Sequence, residues 1–206
     1  MSKVFFDNAI SLDGFFAGEK RGPQNPLGDR GTQIHLWMYK QKAFFKNLGF
    51  EGGEEYGDDS RLIDDTFART GAYVMGKRMF DEGEVNWPED LYKRDVFVVT
   101  REVREPWRQN GSTTFYFVND GLESALAKAK QSAGDRDVRI QGGADIIQQF
   151  LNAGLIDEFT IHQSPVMLGS GIRLFDHIDI DRFEFTIKNV QPSALTTHIT
   201  YEVKRK

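Results

Sequence analysis

Two short stretches of this chain place glycine at a strand-to-helix junction, and a third places an arginine past a strand end, features suited to holding an anion. Gly142-Gly143-Ala144-Asp145 follows the strand-like run Val138-Arg139-Ile140-Gln141 and opens the amphipathic run Ile146 to Leu151. Glycine allows a sharp turn and close approach of a ligand to the backbone. The helix that follows offers unpaired N–H groups and the positive end of its dipole, a common phosphate site. Gly76-Lys77-Arg78 repeats the arrangement after Ala72-Tyr73-Val74-Met75, now with two cations. Arg101 stands just past the apolar strand Asp95 to Thr100, where an arginine can grip a phosphate with two hydrogen bonds. Each feature alone also has a plain reading, as a tight turn, a solvated helix start or an exposed loop arginine.

Asp13, in Ser11-Leu12-Asp13-Gly14-Phe15-Phe16, is the carboxylate placed just after the first strand, Val4 to Ile10. It can face a ligand or bond to the backbone of its own turn. His35, His162, His177 and His198 are scattered without metal-ligand spacing, and those on strands read as hydrogen-bonded structural residues. The acidic loop around Glu51, Glu54, Glu55, Asp58 and Asp59 matches no calcium-loop spacing and reads as solvated.

The elements that carry these residues alternate strand and helix, which implies an α/β domain with a largely parallel sheet. Apolar spacing of three and four predicts one helix over Gln33–Leu48, with Trp37 on its core side. Further helices are expected at Ser60–Arg69, from Gly76, at Leu122–Ser132 with Asp120 as cap, and from Ala144. Phe183–Val190 and Thr196–Lys204 alternate polar and apolar and read as an antiparallel pair. Residues 19–60 are the least regular part, a long segment of the kind that shapes binding sites. In such sheets ligands bind beyond the carboxyl ends of the strands, where Asp13, Gly76, Thr100-Arg101 and Gly142-Gly143 all fall.

The 206 residues suit one domain, residues 1–206, and 39% hydrophobic content with 17 Phe supplies a core. The net charge of −5 gives no broad surface for nucleic acid or membrane. With no cysteine, disulfides, thiol nucleophiles and cysteine-ligated zinc are excluded. Neither a signal-peptide core nor a run of about 18 apolar residues is present, so a cytoplasmic protein is expected.

The order of Ser11-Leu12-Asp13-Gly14-Phe15, Val74-Met75-Gly76-Lys77-Arg78-Met79-Phe80, Val98-Val99-Thr100-Arg101, Gln141-Gly142-Gly143-Ala144, Gly154-Leu155-Ile156-Asp157-Glu158 and Pro165 to Phe175 resembles the dihydrofolate reductase-like superfamily. The branch it is similar to contains the reductase domain of riboflavin biosynthesis. The resemblance implies a mixed, mostly parallel sheet of about eight strands with helices on both faces, holding NADPH across its edge. It assigns the pyrophosphate to Gly76-Lys77-Arg78 and Gly142-Gly143-Ala144-Asp145. It assigns the adenosine end to Thr100-Arg101, with Arg101 or Arg78 favouring a 2′-phosphate, and the nicotinamide to Ala9-Ile10. It also allows a homodimer through the C-terminal strands and the helix carrying Gln148-Gln149.

Two departures bear on activity. Residues 19–60 replace the early loop of true dihydrofolate reductases. The acid those enzymes carry on the helix before the glycine-cation turn has four counterparts here, Asp58, Asp59, Asp64 and Asp65. The reading that follows is a stand-alone NADPH-dependent reductase. It transfers a hydride to a carbonyl, imine or C=N bond of a small polar heterocycle, like the 5-amino-6-(5-phosphoribosylamino)uracil reductases. Asp13 is the catalytic candidate, and Trp37 and Phe80 are the substrate contacts. The alternatives are a non-catalytic NADP(H)-binding sensor or assembly module and a divergent dihydrofolate reductase.

Overall fold

The computed structural model describes residues 2–206. Its strands are β1 (Val4–Ile10), β2 (Phe15–Ala17), β3 (Thr70–Gly76), β4 (Asp95–Val99), β5 (Trp107–Arg108) and β6 (Thr114–Val118), then β7 (Asp137–Gly142), β8 (Glu158–Gln163), β9 (Ile172–Arg173), β10 (Phe183–Pro192) and β11 (Thr197–Arg205). The helices are α1 (Leu36–Tyr39), α2 (Lys42–Leu48), α3 (Asp58–Arg69), α4 (Lys77–Glu84), α5 (Leu122–Ala133) and α6 (Ala144–Asn152). Nine strands form one sheet in the order β10-β11-β8-β1-β7-β3-β4-β6-β5, and β2 pairs with β9 in a small antiparallel sheet. The strands from β8 across to β6 are parallel neighbours, and β10, β11 and β5 add antiparallel edges.

The period-two alternation of strand side chains decides which core each residue joins. On β1, β3 and β7 the residues Val4, Phe6, Ala72, Val74, Val138 and Ile140 pack with α5 and α6 in the larger core. Tyr73 and Met75 point the other way, into a second core with Phe80 of α4. Asp7, Ala9, Arg139, Gln141 and His162 share that opposite phase. Ala9 apart, they are unusual residues for central strands, where buried positions are normally apolar.

The single helix expected over Gln33–Leu48 is instead a 3-10 turn, Gly31–His35, followed by α1 and α2. Gln41 breaks it with an extended backbone, φ −89° and ψ 126°. Its side-chain amide donates to Glu55 Oε2 at 3.0 Å and accepts from Ser60 Oγ at 3.0 Å. Bonding to the following loop therefore outweighs the helical pattern. Asp120 does not cap α5: Gly121 is its N-cap, and Asp120 pairs with Lys128 at 3.3 Å.

Candidate active site

Two recesses meet at Met79. The first is a groove of about 600 Å³ beyond the carboxyl ends of β3, β4 and β7. Gly76, Lys77, Arg78, Thr100, Arg101, Gly143, Ala144 and Asp145 all line it. The structure therefore brings together the separate glycine and cation stretches read from the sequence. Gly142 lines neither recess and has φ +128°, a conformation side chains rarely adopt. A Cβ there would lie 3.5 Å from Met79 Sδ and from Phe16 Cζ. At Gly143 an added Cβ would meet only the Arg21 guanidinium, at 3.8 Å, so the turn leaves open space above the backbone.

The groove is cationic, and its cations are held in place. Lys77 bonds Asp81 at 2.6 Å and Glu102 at 3.2 Å, which raises its amine above the usual lysine value, the Asp81 hydrogen bond contributing most. Buried Glu82 accepts from Arg78 Nε at 3.0 Å and also pairs with Arg21. Arg173 donates to the Asp13 carbonyl at 2.9 Å and stacks over Phe15. Arg101 is exposed and carries no ion pair among the described residues, so its guanidinium is free for a ligand.

Arg21 and Arg173 were not singled out from the sequence. Arg173 lies two residues past Gly171 in Gly169-Ser170-Gly171-Ile172-Arg173, a looser version of the glycine-then-cation signal of Gly76-Lys77-Arg78 that could have pointed to it. Arg21 lies in the irregular segment and has no local signal. Tertiary folding alone brings it to Gly143.

The second recess is a cavity of about 350 Å³ on the sheet face opposite α5 and α6. Its floor is Asp7 and Ala9 of β1, Arg139 and Gln141 of β7, Tyr73 of β3 and His162 of β8. Its walls include Phe16, Trp37, Tyr39, Phe44, Phe67 and Trp87. Polar residues on one phase of three central strands were the sequence signal for this floor. Arg139 Nη2 lies against Asp7 Oδ1. Burial pushes the Asp7 carboxyl up, and the Arg139 charge opposes that shift. His162 Nδ1 and His198 Nδ1 share a hydrogen bond of 2.7 Å, and His198 Nε2 meets Asp59 Oδ1 at 3.2 Å. Burial lowers both imidazoles, His162 well below its ordinary value. Loss of hydration likewise takes His35 down to about 4.

The site residues expected from the sequence divide accordingly. Trp37 lines the cavity, 3% exposed, and packs against His162 and His198 at ring separations of 4.7 Å. Ala9 lines the cavity, whereas Ile10 belongs to the larger core. Phe80 is fully buried among Trp87, Trp107, Phe115 and Phe117 and touches neither recess. Its apolar ring completes the second core, so it is a packing residue rather than a substrate contact. Asp13 lines neither recess. Its carboxylate accepts from Ser11 Oγ at 2.6 Å and from the N–H groups of Leu168 and Gly169 at 3.1 and 2.8 Å. The Ser11 bond, helped by those N–H groups, holds its carboxyl at about 2. Asp13 thus pins the 168–169 loop and stays ionised, which suits a turn anchor and not a proton carrier. None of Asp58, Asp59, Asp64 and Asp65 lines the cavity, where Thr66 stands instead.

A cationic groove at strand ends beside an aromatic cavity, on a mostly parallel sheet with helices on both faces, defines the dihydrofolate reductase-like fold. Comparison with solved structures agrees. Dihydrofolate reductase of Enterococcus faecalis, complexed with NADP(H), superposes with a TM-score of 0.53 at 13% identity, covering 99% of this chain and 96% of that one. A Shewanella sp. PV-4 protein named for riboflavin biosynthesis gives 0.69 at 24% identity over 98% and 99%. The Thermotoga maritima diaminohydroxyphosphoribosylaminopyrimidine deaminase/5-amino-6-(5-phosphoribosylamino)uracil reductase gives 0.59 at 14% identity, over 98% of this chain but 56% of that protein. The chain belongs to the RibD C-terminal domain family, whose pattern matches residues 2–199. Among curated relatives, YyaP of Bacillus subtilis, itself uncharacterised, is 27% identical over 84% of this chain and 80% of its own length. No helix among the described residues is long and apolar enough to cross a membrane.

Proposed function

We propose that this chain is an NADPH-dependent reductase that transfers a hydride to a carbonyl, imine or C=N bond of a small heterocycle. One observation carries the reading: the cationic, glycine-floored groove and the aromatic cavity adjoin at Met79. An anionic dinucleotide in the groove can then present its far end to a flat molecule in the cavity. When bound, reduced nicotinamide supplies the hydride.

The chain's own residues bind and orient. Gly76-Lys77-Arg78 and Gly143-Ala144-Asp145 would hold the pyrophosphate through backbone N–H groups and charge, with Gly142 making the turn before them and Arg21 and Arg173 closing the groove. Thr100-Arg101 meets the adenosine end, and the unpaired Arg101 takes a 2′-phosphate. Ala9 and Trp37 border the reacting centre, and the aromatic walls exclude water. Steady-state NADPH oxidation against a panel of cyclic imines and lactams tests the reading. Substrate-dependent oxidation supports it, and its absence across the panel, with cofactor bound, rejects it.

A second reading, a non-catalytic NADP(H)-binding module, is favoured by the anchoring of Asp13 away from both recesses. Tight cofactor binding without turnover would select it.

A further inference from the structure

We propose that a third, polar recess on the far side of α3 is a proton port, and that Asp7 of β1 carries the proton from it into the cavity. This rests on the reductase reading, in which each hydride given to a carbonyl or C=N carbon requires one proton for the oxygen or nitrogen. The aromatic walls that keep water out of the cavity also close that route to the proton.

α3 lies over the sheet with a recess on either side. One is the aromatic cavity, and the other has a volume of about 410 Å³. Asp58 and Arg61, both exposed, stand at the solvent side of this second space. Asp7, Leu62 and Thr66 line both spaces, so the two share a wall there. The floor of the polar recess is a row of directly paired residues. Asp7 of β1 pairs with Thr160 of β8, Thr160 with Thr200 of β11, and Thr200 with Asn189 of β10. Directly paired residues share a face of the sheet. The row therefore runs from an exposed asparagine on the edge strand to a carboxyl that is 8% exposed.

Strand positions beneath a helix are normally apolar. Here Thr160 Oγ1 and Thr200 Oγ1 share a hydrogen bond of 2.9 Å, and Gln191 Nε2 in the same recess is buried without a partner among the described residues. Buried polar groups are normally satisfied, by water where the protein offers nothing. Hydroxyls and amides in file, ending on a carboxyl, make a path for water from the sheet edge to the cavity floor.

Asp7 is the one acid among the described residues that line the cavity. His35 and His162 are held neutral there by burial, which also raises Tyr39, Tyr73 and Tyr92 and makes them poor donors. Asp7 is faced by Arg139 of β7, Arg69 of α3, Tyr73 of β3, and His162 of β8 with His198 of β11 behind it. The His162 Nε2 lies 3.9 Å from Asp7 Oδ2. Asp58, Arg61 and Asp65 face the recess from α3. Burial is the largest influence and pushes the carboxyl up against the charges of Arg139 and Arg69, towards the range in which a general acid works. In the step, the Asp7 O–H bond breaks as an O–H or N–H bond forms on the acceptor, whose carbon takes the hydride of reduced nicotinamide. The carboxylate left behind regains its proton from solvent through the recess.

The test is infrared spectroscopy of the full chain carrying carbon-13-labelled aspartate, transferred from H2O to D2O at pH 7. The parent should show a protonated-carboxyl band that Asp7→Asn lacks. Thr200→Leu fills the recess and leaves the cavity lining unchanged, and should slow deuteration of that band by at least about tenfold. A carboxylate at Asp7, or deuteration as fast in Thr200→Leu as in the parent, overturns the proposal. Turnover by folded Asp7→Asn gives a second readout. NADPH oxidation with isatin, whose carbonyl oxygen needs a proton, should fall by roughly 10²–10⁴-fold. With N-methyl-3,4-dihydroisoquinolinium, which takes a hydride alone, it should fall far less, and equal losses overturn the proposal. Reduction of neither acceptor by the parent counts against the reductase reading, while the infrared measurement still decides whether Asp7 is fed from the recess.

Discussion

Gly143→Ala separates a structural glycine turn from a ligand cradle. Gly143 has φ −70°, a value alanine adopts without strain. The added Cβ would lie 3.8 Å from Arg21 Nη1 and 4.0 Å from Nη2, ordinary van der Waals distances to a flexible side chain. Stability should therefore change by no more than about 0.5 kcal/mol. The methyl group stands on the groove side, where a bound pyrophosphate needs direct access to backbone N–H groups. Overpacking of a fitted contact costs about 1–3 kcal/mol. At about 1.4 kcal/mol per tenfold, NADPH should bind roughly five- to 150-fold more weakly. Thermal unfolding and a tryptophan-fluorescence titration measure the two quantities on one preparation. Gly57→Ala is the control, since a Cβ there meets nothing within 4 Å and lies outside both recesses. An unchanged NADPH affinity in a folded Gly143→Ala protein would refute the cradle.

Three further outcomes are expected. Arg101→Ala should weaken NADPH binding by roughly ten- to 150-fold, from about 1.5–3 kcal/mol for a charge-assisted hydrogen bond, and leave NADH binding unchanged. Equal losses for the two cofactors would move the 2′-phosphate elsewhere. Phe80→Ala should cost about 3–5 kcal/mol in denaturant unfolding, because its ring is fully buried in the second core, while the folded protein keeps its cofactor affinity. The third concerns acid. Burial pushes the Glu158 carboxyl up, but hydrogen bonds from Lys3, Lys188 and Arg69 outweigh it and hold the group at about 2. The unfolded chain binds that proton near pH 4.3. The stabilisation is thus complete above about pH 4.3 and is lost as pH falls towards 2. Glu158→Gln should flatten the melting-temperature profile over that window, and a profile as steep as the parent's would refute the assignment.

Much of the architecture was legible because it rests on local rules. The strand-glycine-helix junctions at Gly76 and Gly143 carry their own turn chemistry, and their placement beyond strand ends follows from a parallel sheet. The C-terminal pair was legible from alternation, and β10 and β11 form it. What was not legible is set by tertiary contacts. Gln41 breaks a well-formed helical pattern because Glu55 and Ser60 bond its amide. Phe80 reads like any aromatic near a glycine turn until the second core closes around it. Arg21 reaches the groove from a segment with no periodic signal. The cavity floor was recoverable in principle. Asp7, Arg139, Gln141 and His162 break the apolar pattern of central strands on a single phase, but that is informative only once β1, β7 and β8 are known to be neighbours.

The most direct measurement of the central claim is a pair of calorimetric titrations of the purified chain, one with NADPH and one with NADH. A cationic groove with an unpaired Arg101 predicts saturable binding of NADPH with a clear preference over NADH. Binding of neither would mean that the glycine turns at Gly76 and Gly143 serve the fold alone, and the reductase reading would fall with them.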